Sequence, residues 1–327
     1  MRVGFCVPMN TMWTAAVDGL ERSLGDDLEA IRGVEASLEA FSGLDAVVAN
    51  RVDASYFEKA SCLKAVFVPF VGVNHLPASL LLSRDISVFN CHGNAESVAE
   101  RALALALAGF GRVVEYHNDL RAEKWHGFWV DKGQEDFWHS IFRKRCAILG
   151  TGAIGEKLAR LLKAFDCPVV GYRRRADAPK PAYFDEVTTD LRAAVAGADI
   201  VFVALPLTDA TRGLVGAAEL EAMRGAYLVN VGRGEVVDEA ALYAALTGGT
   251  IAGAGLDVWY VYPPHGAVTG APSRFPIHTL PNVILSPHVA GSTFEAVELN
   301  VSQTVANIER WIRTGDAEHR VDLAASY

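Results

Sequence analysis

Gly150-Thr151-Gly152-Ala153-Ile154-Gly155 is the stretch on which the fold turns. It follows a short apolar run ending at Leu149 and opens a helical pattern over 156–165, after which a second apolar run, 168–172, reads as a strand. Strand, G-x-G-x-x-G, helix and strand stand in the order of a dinucleotide-binding βαβ unit. Gly150 permits the tight turn, and Gly152 lets the backbone approach a pyrophosphate. Gly155 lets helix and strand pack closely, and the helix N-terminus adds partial positive charge. Ala153 and Ile154 complete the loop as cofactor-binding candidates. The bland alternative is a glycine-rich turn that binds nothing; the context of the motif argues against it.

The same alternation extends both ways. Upstream, 2–7, 45–49, 64–68 and 87–91 read as buried strands with helical stretches between them. Downstream, 145–149, 168–172, 199–205, 226–231, 251–258 and 283–286 make six more, the doubly wound count. Short β-branched runs alternating with helices imply α/β architecture with parallel sheets. Residues 94–114 read as one long helix, apolar all round at 102–108 and therefore buried between domains or subunits. Residues 115–145 break the rhythm and carry Trp125, Trp129 and Trp138 among many charges. They read as a packed surface excursion, with a dimer arm or a lid as the alternatives. The last helix, 292–313, returns the chain to the first half.

Length and charge bound the function. The chain has 327 residues, enough for two domains at about 150 residues each. A net charge of −9 argues against nucleic acid or anionic lipid as the main partner. No apolar run approaches the roughly 20 residues of a membrane span, and the opening apolar stretch is too short for a signal sequence. The five cysteines form no C-x-x-C pair, which fits a reducing compartment and argues against a disulfide frame. The nine histidines are scattered and suggest no metal centre. The expectation is a cytoplasmic, two-domain protein with a small-molecule partner.

The end of the strand after the glycine loop selects the cofactor. NAD enzymes place an acid there, about 20 residues on, for the ribose 2′-OH. This chain has Tyr172-Arg173-Arg174-Arg175 and no acid until Asp177. Arginines can clamp a 2′-phosphate that an acid would repel. NADP is therefore preferred over NAD. Read as a solvated basic corner, the cluster leaves NAD open.

Three segments now carry a resemblance: Val229-Asn-Val-Gly-Arg-Gly-Glu-Val-Val-Asp238, Gly253-Ala-Gly-Leu-Asp-Val258 and Asn282-Val-Ile-Leu-Ser-Pro-His-Val-Ala-Gly291. With the glycine loop, Asn94–Glu100, and Leu205–Thr208 with Thr211, they resemble the D-isomer-specific 2-hydroxyacid dehydrogenases, in family order along nearly the whole chain. The resemblance implies two Rossmann-like parallel-sheet domains. One is a split, flavodoxin-like substrate domain, 1–93 plus 294–327. The other is a dinucleotide-binding domain, 94–293. It implies a carboxylate substrate between them and a homodimer. It makes Pro206, Thr211, Val231 and Gly291 cofactor-binding and Asn94 substrate-binding, and gives Asp257 the nicotinamide carboxamide. The loop Pro69–Asn74 resembles the family loop whose backbone N–H groups hold the carboxylate, so Val71, Gly72 and Val73 are candidates.

The chemistry of 2-keto acid reduction needs a carboxylate anchor, a proton donor at the ketone oxygen and a hydride. Arg233 suits the first, because a guanidinium grips a carboxylate bidentately and stays charged. His288 suits the second, since imidazole exchanges protons near neutrality. One departure stands out. The family usually places a Glu five residues after the motif Asp, where it pairs with the His; here that position is Tyr262. Tyr262 can still hydrogen-bond and orient the ring. Without the carboxylate, reduction is expected to weaken towards alkaline pH earlier than in Glu-bearing relatives. Trp259, Tyr260 and Tyr262 are candidates for a pocket lining, with ordinary packing as the alternative.

Three functions follow. The leading one is NADP-preferring hydride transfer between nicotinamide and a small 2-hydroxy or 2-keto acid. Oxidation of formate or phosphite is the second; Val71 stands where phosphite enzymes usually carry Lys. A non-catalytic dinucleotide sensor is the third, opposed by the retained Arg233 and His288.

Overall fold

The structure is a computed structural model that describes residues 1–33, 41–49, 54–264 and 266–324. The chain divides into two units, Met1–Asn94 with Ser292–Tyr327, and Ala95–Gly291. Each is built on its own sheet of parallel strands.

In the first unit, β1 (Arg2–Cys6), β2 (Glu29–Arg32), β3 (Ala46–Ala49), β4 (Ala65–Phe67) and β5 (Ser87–Phe89) are ordered β2-β1-β3-β4-β5. Successive residues point to opposite faces, and both faces are covered. Ala46, Val48, Ala65 and Phe67 join Trp13, Val17 and Trp311 on one side. Val47, Ala49, Val66 and Val68 join Phe41, Phe57 and Leu81 on the other. This double burial is why the central strands read as unbroken apolar runs. The helix Phe294–Thr314 belongs to this unit and packs Val301, Ile308 and Trp311 against its sheet.

In the second unit, seven strands are ordered β12-β11-β10-β9-β6-β7-β8. They are β6 (Cys146–Leu149), β7 (Val169–Tyr172), β8 (Glu186–Thr188), β9 (Ile200–Val203), β10 (Tyr227–Asn230), β11 (Gly253–Leu256) and β12 (Val283–Leu285). The order reverses between β6 and β9, which makes the C-terminal ends of these two strands the switch point where open α/β sheets bind ligands.

Three expectations need correction. The second sheet has seven strands rather than six, and the first has five rather than four. Both additions, β2 and β8, are edge strands with little apolar sequence. The expected single helix 94–114 is two, Ala95–Phe110 and Val113–Arg121. Arg112 between them is left-handed, φ 53°, and a Cβ at Gly111 would stand 2.5 Å from the Leu107 carbonyl. On this chain the first of these helices turns Val98, Ala99, Ala102, Leu105 and Ala106 to the core and leaves Leu107 exposed. Trp125, Trp129 and Trp138 of the excursion are exposed at 58%, 75% and 57%, while Tyr116, His126 and Asp136 within it hold one another. No helix among the described residues is long and apolar enough to cross a membrane.

Candidate active site

The glycine loop leaves β6 at the switch point. Gly150 has φ 111°, open to glycine alone, and a Cβ there would lie 2.7 Å from the Ala204 carbonyl beyond β9. A Cβ on Gly155 would strike the Gly150 carbonyl at 2.0 Å, so the helix Ala153–Lys163 packs directly on the turn. That helix starts at Gly152 with no side-chain cap. Its leading N–H groups, in Ala153, Ile154 and Gly155, are the donors that a pyrophosphate uses at such a terminus. The loop therefore fits a dinucleotide by its shape as well as by its sequence.

Beyond β7 the three arginines differ. Arg173 donates Nη1 to the Pro179 carbonyl at 2.7 Å and Nη2 to the Ala178 carbonyl. Its guanidinium thus ties down the following loop. Arg174 and Arg175 are exposed and make no hydrogen bond or ion pair among the described residues. Past β9, the Thr211 hydroxyl donates to the Pro206 carbonyl at 2.6 Å and accepts the Thr208 N–H at 2.8 Å, closing the 206–211 turn. Val231 follows β10, is 5% exposed, and donates its N–H to the Val203 carbonyl.

Arg233 stands two residues beyond Val231. Asn230 shapes this corner: its Oδ1 accepts the Gly232 N–H and its Nδ2 donates to the Arg233 carbonyl, both at 3.0 Å. The Arg233 guanidinium donates to the Gly232 carbonyl at 2.8 Å, and no carboxylate pairs with it among the described residues. Burial pushes its pKa down, against a small opposing effect of Tyr262.

Tyr262 and His288 come together, with ring centroids 5.4 Å apart and planes tilted by 49°. The Tyr262 oxygen accepts the Trp259 N–H at 3.1 Å. Burial raises its pKa, partly opposed by that N–H and by Arg233. The rest of the aromatic run is not a pocket lining. Trp259 is buried and donates Nε1 to the Ser286 carbonyl, and Tyr260 packs on the core with its hydroxyl on the Val237 carbonyl.

His288 is exposed and left-handed, φ 58°. Its loop is held by Asp257, which lies just after β11 and is 1% exposed. Asp257 Oδ1 accepts the Ser286 hydroxyl and the Val289 N–H, and Oδ2 accepts the Ala290 N–H at 3.1 Å. Oδ2 has capacity for one more donor. Gly291, next in the chain, ends the unit.

The remaining candidates lie in the first unit. Asn90 Nδ2 donates to the Val71 carbonyl at 2.8 Å and anchors the loop after β4. Backbone N–H groups of Val71, Gly72 and Val73 meet no acceptor among the described residues. The Asn94 Oδ1 is buried without a hydrogen-bond partner among the described residues. The residues that sequence reasoning missed are the ones that shape these corners: Asn90, Asn230 and Ser286. Asn230 and Ser286 lie inside the quoted motifs, and their partners three residues or less away, or across the strand ends, give them their roles.

A family model described as D-isomer specific 2-hydroxyacid dehydrogenase, NAD binding domain, matches residues 103–290. The chain is 33% identical over 294 residues to glyoxylate/hydroxypyruvate reductase B of Pectobacterium carotovorum, covering 84% of this chain and 88% of that one. It is 33% identical over 260 residues to D-3-phosphoglycerate dehydrogenase of Archaeoglobus fulgidus, 79% of this chain but 46% of that relative's length. A solved NADPH-dependent glyoxylate/hydroxypyruvate reductase from Sinorhizobium meliloti, in complex with NADP and malonate, superposes with a TM-score of 0.77 at 26% identity over 99% of this chain and 97% of that one. The chain belongs to the D-isomer-specific 2-hydroxyacid dehydrogenase family and is an oxidoreductase of that class.

Proposed function

We propose that the chain reduces a small 2-keto acid to the 2-hydroxy acid with NADPH in preference to NADH, as a cytoplasmic homodimer. The overall change is keto acid plus NADPH plus a proton giving hydroxy acid plus NADP. The nicotinamide supplies the hydride when bound. Gly150, Gly152, Ala153, Ile154 and Gly155 would hold its pyrophosphate, and Pro206, Thr211, Val231, Asp257 and Gly291 the remainder. Arg173 braces the loop from which Arg174 and Arg175 reach the 2′-phosphate.

The chain's own residues divide the rest of the work. Arg233 grips the carboxylate. His288 gives a proton to the ketone oxygen as it becomes a hydroxyl, with Tyr262 against its ring at the position where the resemblance implies Glu. Val71, Gly72, Val73 and Asn94 are the substrate-binding residues of the first unit. The observation that carries this reading is the Arg233 guanidinium, part-buried with no carboxylate partner among the described residues. A part-buried cation without a counter-ion calls for an anionic ligand.

The test is nicotinamide oxidation followed at 340 nm against a panel of 2-keto acids, with both cofactors. Turnover favouring NADPH is expected. In the R174A/R175A double variant, the preference should fall by about tenfold or more, the loss of charge-assisted contacts to one phosphate. Equal use of NADH by the unaltered chain would reverse the cofactor assignment. Hydride release from deuterated formate, with no turnover of any keto acid, would replace the reaction itself. NADPH binding without any turnover would support the sensor.

A further inference from the structure

The segment that presents Tyr262 is closed at its base by a buried carboxylate. Glu239 is 4% exposed and opens the helix Glu239–Thr247. Asp238 already caps that helix by accepting the Ala241 N–H, so Glu239 is not needed for the cap. Its carboxylate reaches 34 and 35 residues along the chain instead. Oε1 accepts the Ser273 hydroxyl and the Arg274 N–H, each at 2.8 Å, and Oε2 accepts Arg274 Nε at 2.6 Å.

These contacts fix the residue before them. The Pro272 carbonyl accepts the N–H groups of both Tyr260 and Val261, at 3.2 and 3.0 Å. Chain leaving at Trp259 and chain returning at Pro272 are thereby clasped side by side, and Tyr262 projects from the clasp. Four donors, on Ser273, Arg274, Tyr260 and Val261, and the Pro272 carbonyl therefore link Glu239 to the segment bearing the ring that lies 5.4 Å from His288.

We infer that Glu239 is a positioning residue for Tyr262, setting the ring against His288 through Ser273, Arg274 and the Pro272 carbonyl. The inference rests on the reading of Tyr262 and His288 as the reacting pair. The chain thus sets a carboxylate several contacts from the histidine, where the family it resembles usually pairs a Glu with it directly. Arg274 is 75% exposed, so the clasp is a buried acid gripping a surface arginine, and its removal from the arginine side leaves the core intact.

The test is a cycle of Glu239→Ala and Tyr262→Phe, singly and together, with keto-acid turnover and thermal melting of each. Loss of the clasp misplaces the ring, and about a tenfold fall in kcat with a smaller change in KM is expected for E239A. In the Y262F background the same change should cost less than about twofold, because two residues acting through one group are not additive. Equal losses in the two backgrounds, or wild-type turnover of E239A, would overturn the inference while leaving Tyr262 its role. Wild-type turnover of Y262F would overturn both readings at once. If E239A does not fold, R274A takes its place in the cycle. Glu239→Gln, which keeps an acceptor for Ser273 and the Arg274 N–H, should recover most of the loss.

Discussion

Two buried aspartates in the second unit hold loops by different means. Asp257 accepts a hydroxyl and two backbone N–H groups, donors that do not titrate near neutrality. Asp136, in the excursion, is also buried, but its partners are largely cationic. Its Oδ1 lies 2.7 Å from His126 Nδ1 and 3.7 Å from both Arg112 and Lys132, while Oδ2 accepts the Gly127 N–H. The other imidazole nitrogen, Nε2, lies 2.9 Å from Asp119. Carboxylates only accept, so an imidazole bonded to two of them carries both protons and a positive charge. Consistently, Asp136 first and Asp119 after it raise the His126 pKa, and His126 in turn lowers that of Asp119. The loop bearing His288 is held by neutral donors; the excursion with its exposed tryptophans is held by a charged imidazole.

The sharpest way to break this comparison is Asp257→Ala. It strands three donors, each worth about 1–3 kcal/mol when left unmet. A drop of about 3 kcal/mol or more in unfolding free energy and a loss of turnover of about a hundredfold are expected from denaturant curves and initial rates. A variant active and stable as the parent would mean that the His288 loop holds itself.

A smaller effect is expected from His126→Asn, read by limited proteolysis of the excursion and by tryptophan emission. For a histidine whose pKa is raised by folding, the stabilisation is whole below the unfolded value of about 6.5 and is lost as pH climbs through the higher folded one. For Asp119 and Asp136, both lowered, it is present above the unfolded value of about 3.9 and is lost as pH falls through the folded one. Cleavage should therefore quicken above neutrality in the parent and be quick at all pH values in the variant. A cleavage rate in the parent that is level from pH 6 to 9 would sink the charged-imidazole reading.

Legibility followed burial. Central strands such as β3 (Ala46–Ala49), all four residues buried, declared themselves as apolar runs. The edge strands β2, Glu-Ala-Ile-Arg, and β8, Glu-Val-Thr, did not, because an edge strand with solvent at one side has no run to show. The helix break at Gly109–Arg112 was masked by the apolar stretch preceding it, although two glycines marked it. At the site, motifs name residue types, whereas the contacts that set them in place cross long intervals. Ser286 and Asp257 are 29 residues apart, and Glu239 and Arg274 are 35 apart. No local pattern encodes such a pairing. Tyr262 was visible only as a departure; its bond to the Trp259 N–H required the turn itself.

The left-handed backbone at His288 has one more consequence. For a residue with a side chain that conformation costs on the order of 1–2 kcal/mol, a cost that Gly alone escapes outright. Replacement by Gly, which pays no Cβ cost there, would then relieve the backbone while removing the proposed proton donor. The inert protein is expected to melt no lower than the active one, as calorimetry of the two would show. If His288 carries the proton as proposed, stability and turnover pull in opposite directions at this position, and a search that rewarded heat resistance alone would discard the enzyme.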